Sequence, residues 1–159
     1  MTVTAGLVET LVAQFGDKVK ENISLAPYTS ARIGGPADIL ITAGSADELA
    51  AIVTALWSAG ADYFILGGGS NVLVSDRGVR GVTVLNRAKL VRFAAADRSA
   101  KSVRSTSMGP DFATSVWAES GVVFSNLANR CASRGLSALE WAATIPGTIG
   151  GAGCIFGWK

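Results

Sequence analysis

The sequence predicts a mixed chain of helices and strands, α+β or α/β in class. Three observations carry that expectation. Stretches with helical and with strand-like apolar spacing follow one another without an internal repeat. Apolar residues are 49 % of the 159 residues and charged residues 16 %, which excludes a disordered chain and allows a core without staples or metals. Glycine accounts for 19 residues, about 12 % against a usual ~7 %, and that excess belongs in turns, caps or ligand loops.

The elements can be justified in order. Val8, Leu11, Val12 and Phe15 recur at helical spacing and predict a short amphipathic helix ending near Gly16. Ile39, Leu40 and Ile41 follow Pro36 as an apolar run and read as a buried strand. Ser45 and Glu48 form a capping box, with Asp47 favouring the same helix end. Leu49, Ile52, Val53 and Leu56 supply that helix with its apolar stripe, and Gly60 stops it. Tyr63 to Leu66 reads as a strand running straight into Gly67-Gly68-Gly69-Ser70-Asn71. Val72 to Val74 and Val82 to Leu85 read as further short strands around a turn at Asp76-Arg77-Gly78. Residues 94 to 114 lose periodicity and read as an exposed loop or a ragged hairpin. Val116 to Glu119 reads as a strand. Ser125 is placed to cap a helix carrying Leu127, Ala128 and Cys131, which Gly135 stops.

Composition also excludes chemistry. The chain has no histidine, so His triads, His metal sites and His-ligated haem are out. Cys131 and Cys154 are the only cysteines and do not make a zinc site or a disulfide framework, which fits a reducing cytoplasm. The N-terminus lacks a basic segment and an apolar run, so no signal peptide is expected. Eight of the fourteen basic residues fall between Arg77 and Arg104, where Asp97 is the sole acid. Without aromatic interleaving or a nucleic-acid motif, this stripe reads as a solvated loop rather than a polyanion site. Trp141 to Trp158 carries no charge, but Pro146 and five glycines make it a poor membrane helix.

Two glycine clusters carry the chemistry. Gly67 to Asn71 lets backbone N–H groups converge on an anion and lets a pyrophosphate approach the main chain. It is neither a Walker A loop, which needs a lysine, nor a Rossmann turn, because no helix signal follows. Ile145-Pro146-Gly147-Thr148-Ile149-Gly150-Gly151 predicts a rigid, irregular backbone with exposed amides and one hydroxyl, a second wall for the same anion. A third segment, Tyr28 to Asp38, joins a Gly-Gly-Pro turn to Arg32 and several hydroxyls, and can face a ligand phosphate or ring.

Tyr28 to Asp38, then LGGGSNVLVSDRGVRGVTVL from Leu66 to Leu85, then Val116 to Gly151 resemble one family, with GLSALEWAATIPGTIGGA from Gly135 to Ala152 especially specific. It is the bacterial UDP-N-acetylenolpyruvoylglucosamine reductases, also called UDP-N-acetylmuramate dehydrogenases. The motifs stand in that family's order and cover most of the chain between Asn22 and Ala152. The resemblance implies an FAD-binding domain of the vanillyl-alcohol-oxidase type, built of two small α/β lobes. Residues 1–86 would form the first lobe and 87–159 an incomplete second lobe. The resemblance assigns Gly67, Gly68, Gly69, Ser70 and Asn71, and Ile145, Pro146, Gly147 and Thr148, to the flavin pyrophosphate, with Gly151 nearby. Tyr28, Ser30 and Arg32 would line the same region.

The implied reaction is an NADPH-driven, FAD-dependent reduction of a UDP-sugar enolpyruvyl ether in peptidoglycan synthesis. The family's catalytic Arg, Ser and Glu fall beyond Lys159, as does its UDP-sugar-binding domain, so no catalytic residue is assigned. Two departures stand out. Thr144 occupies a position where the family usually has glycine, and Gly153 to Lys159 does not continue the family pattern. The expectation is a truncated chain or a lost reading frame near Gly153 that keeps the flavin loops but not competence. The alternative is a stand-alone flavin- or nucleotide-binding module acting with a separate chain. Neither nucleic acid nor membrane is expected as a partner.

Overall fold

The computed structural model describes residues 4–95 and 114–156. Helix α1, Ala5–Phe15, opens on Thr4, whose hydroxyl accepts from the Leu7 N–H, and closes on Gly16 at φ +61°. Strands β1, Val19–Ser24, and β2, Pro36–Ala43, pair antiparallel. Helix α2, Ala46–Ser58, follows with the expected cap: Ser45 Oγ accepts from the Glu48 N–H at 3.2 Å. The Glu48 carboxylate reaches back one residue further than the standard box, accepting from the Gly44 N–H at 2.8 Å. Gly60 ends α2 at φ +60°, with its N–H on the Trp57 carbonyl and the Ala61 N–H on that of Leu56. This is the Schellman arrangement, and it needs a residue that tolerates the left-handed region.

Strands β3, Tyr63–Leu66, and β4, Val79–Asn86, complete a four-stranded sheet ordered β1-β2-β4-β3. Both β2 and β3 run parallel to β4, which is therefore central and almost wholly buried. Leu11 of α1 and Ile52 and Leu56 of α2 pack on Ile39, Ile41, Val82 and Val84. A buried residue of this size contributes about 1.5–3 kcal/mol, so this face carries much of the stability. Leu25, Leu40, Leu66 and Leu85 form a second cluster, covered by Tyr28, Val72 and Val74 from irregular segments.

Val72 to Val74 is not a strand, contrary to expectation. Val72 and Val74 pack on the second cluster while Leu73 is 81 % exposed. The apolar alternation therefore reports burial without a ladder. The turn at Asp76-Arg77-Gly78 is present, with the Gly78 N–H on the Ser75 carbonyl at 2.8 Å.

A second, two-stranded antiparallel sheet joins β5, Val91–Ala95, to β6, Thr114–Ala118. Most of the loop expected at 94–114 lies outside the described residues, as do Arg98, Lys101 and Arg104 of the basic stripe. Helix α3, Phe124–Ala132, covers this sheet through Leu127 and Cys131, which meet Val91, Phe93 and Val116. Ser125 does not cap α3; it lies inside the first turn. The chain is instead fixed there by main chain, the Phe124 N–H donating to the Gly147 carbonyl at 3.0 Å. Gly135, at φ +71°, ends the helical segment as expected.

The segment after Pro146 is not irregular throughout. Ile149–Phe156 forms helix α4 despite its glycines. Tertiary contact overrides propensity there: Ile149 and Ala152 pack against the cluster of Phe124, Ala128 and Ala142. Among the described residues no helix is long and apolar enough to cross a membrane.

Candidate functional site

Parallel strands deliver the loops at their C-terminal ends to one edge of the sheet, where ligands commonly bind. The end of β3 delivers Gly67 to Asn71 there. The loop before α4 brings Ile145 to Thr148 to face it. Together they line one cavity of about 580 Å³, with Gly151 and Ala152 of α4 closing one side. That volume lies within the ~300–1,000 Å³ usual for small-molecule and cofactor sites. Both glycine clusters singled out in the sequence thus meet, although Ile145 stands 74 positions after Asn71 in the chain.

Close packing of one wall on the other explains why these positions are glycine. A Cβ on Gly67 would stand 2.5 Å from Thr148 Oγ1, and one on Gly147 would stand 2.8 Å from Ser70 Oγ. A Cβ on Gly68 would stand 3.2 Å from Gly147 Cα. Glycine at these positions thus makes room for the facing Thr148 and Ser70 hydroxyls and for the close approach of Gly68 to Gly147. Among the described residues, the N–H groups of Gly68, Gly69, Ser70 and Thr148 have no hydrogen-bond acceptor. Four such donors around one cavity suit an anion.

The rest of the lining is apolar: Phe64, Ile65, Leu66 and Val72 on one side, Ile145 and Pro146 on the other. Phe64 and Ile65 are neighbours on a strand, so their side chains leave opposite faces of the sheet. Both line the cavity, so it meets β3 edge-on. Sequence reasoning did not single out Phe64, Ile65, Val72 and Ala152 as lining. The apolar strand end running into glycine was the available signal for the first two.

Tyr28, Ser30 and Arg32 do not line the cavity. Their segment lies behind the first loop, where the Ser30 N–H donates to the Gly69 carbonyl at 2.9 Å. Gly69, at φ +66°, has no room for a Cβ because the Tyr28 carbonyl lies against it.

The basic stripe is partly engaged in structure. Arg80 pairs with Asp38 at 2.8 Å, and the Arg92 guanidinium lies 5.6 Å from the Trp117 ring centre. Arg87, another member of the stripe, donates to the Gly67 carbonyl at 3.2 Å, a contact the sequence did not indicate. Among the described residues no carboxylate pairs with it. A half-buried cation therefore stands directly behind the first wall.

The family described as FAD binding domain matches residues 37–154. The chain belongs to this FAD binding domain family. The expected resemblance is also borne out. The chain is 42 % identical to the UDP-N-acetylenolpyruvoylglucosamine reductase of Rubrobacter xylanophilus over 128 residues, covering 80 % of this chain and 38 % of that protein. It is 38 % identical to the reductase of the same name from Carboxydothermus hydrogenoformans over 148 residues, covering 93 % and 44 %. Among solved structures it resembles the UDP-N-acetylenolpyruvylglucosamine reductase of Thermus caldophilus, with a TM-score of 0.54 and 29 % identity. That match covers 82 % of this chain and 39 % of the other. The chain thus spans about two fifths of the length of these relatives. The mixed α+β fold and its FAD-binding type stand as expected.

Proposed function

We propose that this chain binds FAD with the pyrophosphate between the two glycine-rich walls. The observation that carries the reading is that Gly68, Gly69, Ser70 and Thr148, whose N–H groups have no acceptor among the described residues, line one cavity. The donor set fits the cofactor: amides and hydroxyls for a diphosphate, apolar side chains for a ring system. Gly67 and Gly147 keep the walls free of side chains, so the diphosphate can approach the main chain. Ser70, Asn71 and Thr148 add side-chain donors. Pro146 fixes the backbone of the second wall and Ile145 adds apolar surface to it. Tyr28 and Ser30 support the first loop from behind, and Arg32 belongs to that same supporting segment.

When bound, FAD supplies hydride chemistry. By likeness to its relatives, the chain serves reduction of a UDP-N-acetylglucosamine enolpyruvyl ether to UDP-N-acetylmuramate, with NADPH as electron donor, in peptidoglycan synthesis. No residue described here is assigned to that substrate's chemistry. The described residues are expected to hold flavin.

The test is titration of the purified chain with FAD and with riboflavin, followed by flavin fluorescence. FAD should bind at least about tenfold more tightly, because riboflavin lacks the diphosphate. Equal affinity for the two, or no binding of FAD, would overturn the reading.

A further inference from the structure

One buried carboxylate lies outside the cavity and has no role in the reading above. Glu119, just after β6, is 6 % exposed. Its Oε1 accepts from the Ala46 N–H at the start of α2 at 2.8 Å, and its Oε2 from the Leu90 N–H at 2.6 Å. Its own N–H donates to the Leu90 carbonyl at 2.9 Å. Among the described residues no basic side chain pairs with it. The carboxylate thus ties the second sheet to the first through main chain alone. The positive end of α2 favours its charge there.

The residues that follow carry this tie to the second wall. Ser120 Oγ accepts from Asn86 Nδ2 at 2.9 Å, at the end of central strand β4. The Ser120 carbonyl accepts from the Gly150 N–H at 2.8 Å, and the Val122 carbonyl from the Ile149 N–H at 2.9 Å. The Phe124 N–H returns to the Gly147 carbonyl, and Val123 bridges Thr148. A Cβ on Gly121 would stand 2.6 Å from the Ala88 carbonyl oxygen, so the segment presses on the first sheet's exit. Residues 119–124 therefore hold α2 and β4 on one side and the 147–150 loop on the other.

We propose that Glu119 is a positioning residue that sets the spacing between the two walls of the cavity. The inference rests on the flavin reading for its consequence, but the mechanical link does not depend on a ligand. Without the carboxylate, the Ala46 and Leu90 N–H groups lose their acceptor. The 119–124 segment then loses its anchor on α2 while keeping its bonds to the second wall.

Two measurements on the full chain test this. The first is amide exchange by NMR in wild type, Glu119→Ala and Glu119→Gln, without ligand. Exchange at Phe124, Ile149 and Gly150 should rise about tenfold in Glu119→Ala, while amides in the middle of α2 stay protected. Glu119→Gln keeps one acceptor oxygen and should fall between, and it serves if the alanine variant does not fold. The second is FAD affinity, which should weaken about tenfold in Glu119→Ala. Ile52→Val, a core change remote from the cavity, should lower the melting temperature without moving that affinity. Faster exchange confined to Ala46 and Leu90 would overturn the proposal, as would an equal loss of affinity in Ile52→Val. Failure of wild type to bind FAD would sink the flavin reading alone, because the exchange result stands without it.

Discussion

Gly67→Ala puts a methyl group between the two walls, and the consequence can be worked from the structure. The new Cβ would stand 2.5 Å from Thr148 Oγ1, where ordinary contact begins at 3.4 Å. Thr148 cannot easily retreat. It is β-branched, 3 % exposed, and its backbone bridges Val123 and accepts from the Ala152 N–H. The strain must then open the walls. Overpacking of this kind costs about 1–3 kcal/mol. In a domain of this size that lowers the melting temperature by roughly 3–10 °C. If the same energy falls on the bound state, FAD affinity drops about 5- to 150-fold. Thr148→Ala removes the clashing oxygen and leaves the next atom, Cβ, at 3.6 Å. The double variant should therefore recover most of the stability loss, with a coupling of about 1 kcal/mol or more in a double-mutant cycle of melting data, while its FAD affinity stays below wild type because the Thr148 hydroxyl is gone. Thermal melts by circular dichroism on the four proteins give that cycle, and FAD titrations give the affinities. Wild-type stability in Gly67→Ala, or no recovery of stability in the double variant, would refute the geometry.

Other perturbations probe separate features. Arg87→Ala should free the Gly67 carbonyl and weaken FAD about tenfold while leaving riboflavin nearly unchanged, with Arg87→Lys restoring part of the loss; equal weakening of both ligands would contradict a role at the diphosphate. Glu48 is held below its ordinary carboxylate range, first by the hydrogen bond from Lys18 and then by the Gly44 N–H. A lowered folded-state pKa adds stability above the unfolded value, and that stability is lost as pH falls through the folded value. The urea midpoint of wild type should therefore exceed that of Glu48→Gln at neutral pH and converge with it on acidification. A gap that is constant down to strongly acidic pH would refute this, and added salt should narrow it because the pair is exposed.

Local signals made much of the first sheet legible. Helix α2 could be read from Ser45, Glu48 and Gly60 because cap and stop are chemical features of single residues. Strand β1 could not, because Val19–Ser24 holds Lys20, Glu21 and Asn22 and shows no apolar run. It forms because β2 presents an open edge, with Val19 facing Ile41 and Ile23 facing Ala37. Helix α4 was hidden by its glycines, whose low propensity is outweighed by packing of Ile149 and Ala152. The two cavity walls were legible because glycine clusters announce close approach of main chain. Arg87 and Glu119 were not, since their partners at Gly67 and Ala46 lie 20 and 73 residues away. Nothing local distinguishes either side chain from a solvated one.

Among the described residues, strand β3 is at once the edge of its sheet and a wall of the cavity. An uncovered strand edge is a template for pairing with another chain. Phe64 and Ile65, 39 % and 42 % exposed, make this edge adhesive as well as open. Anything lodged in the cavity shields these same residues. Ligand occupancy and colloidal behaviour are therefore coupled: the empty chain should self-associate as its concentration rises, and the filled one should stay dispersed.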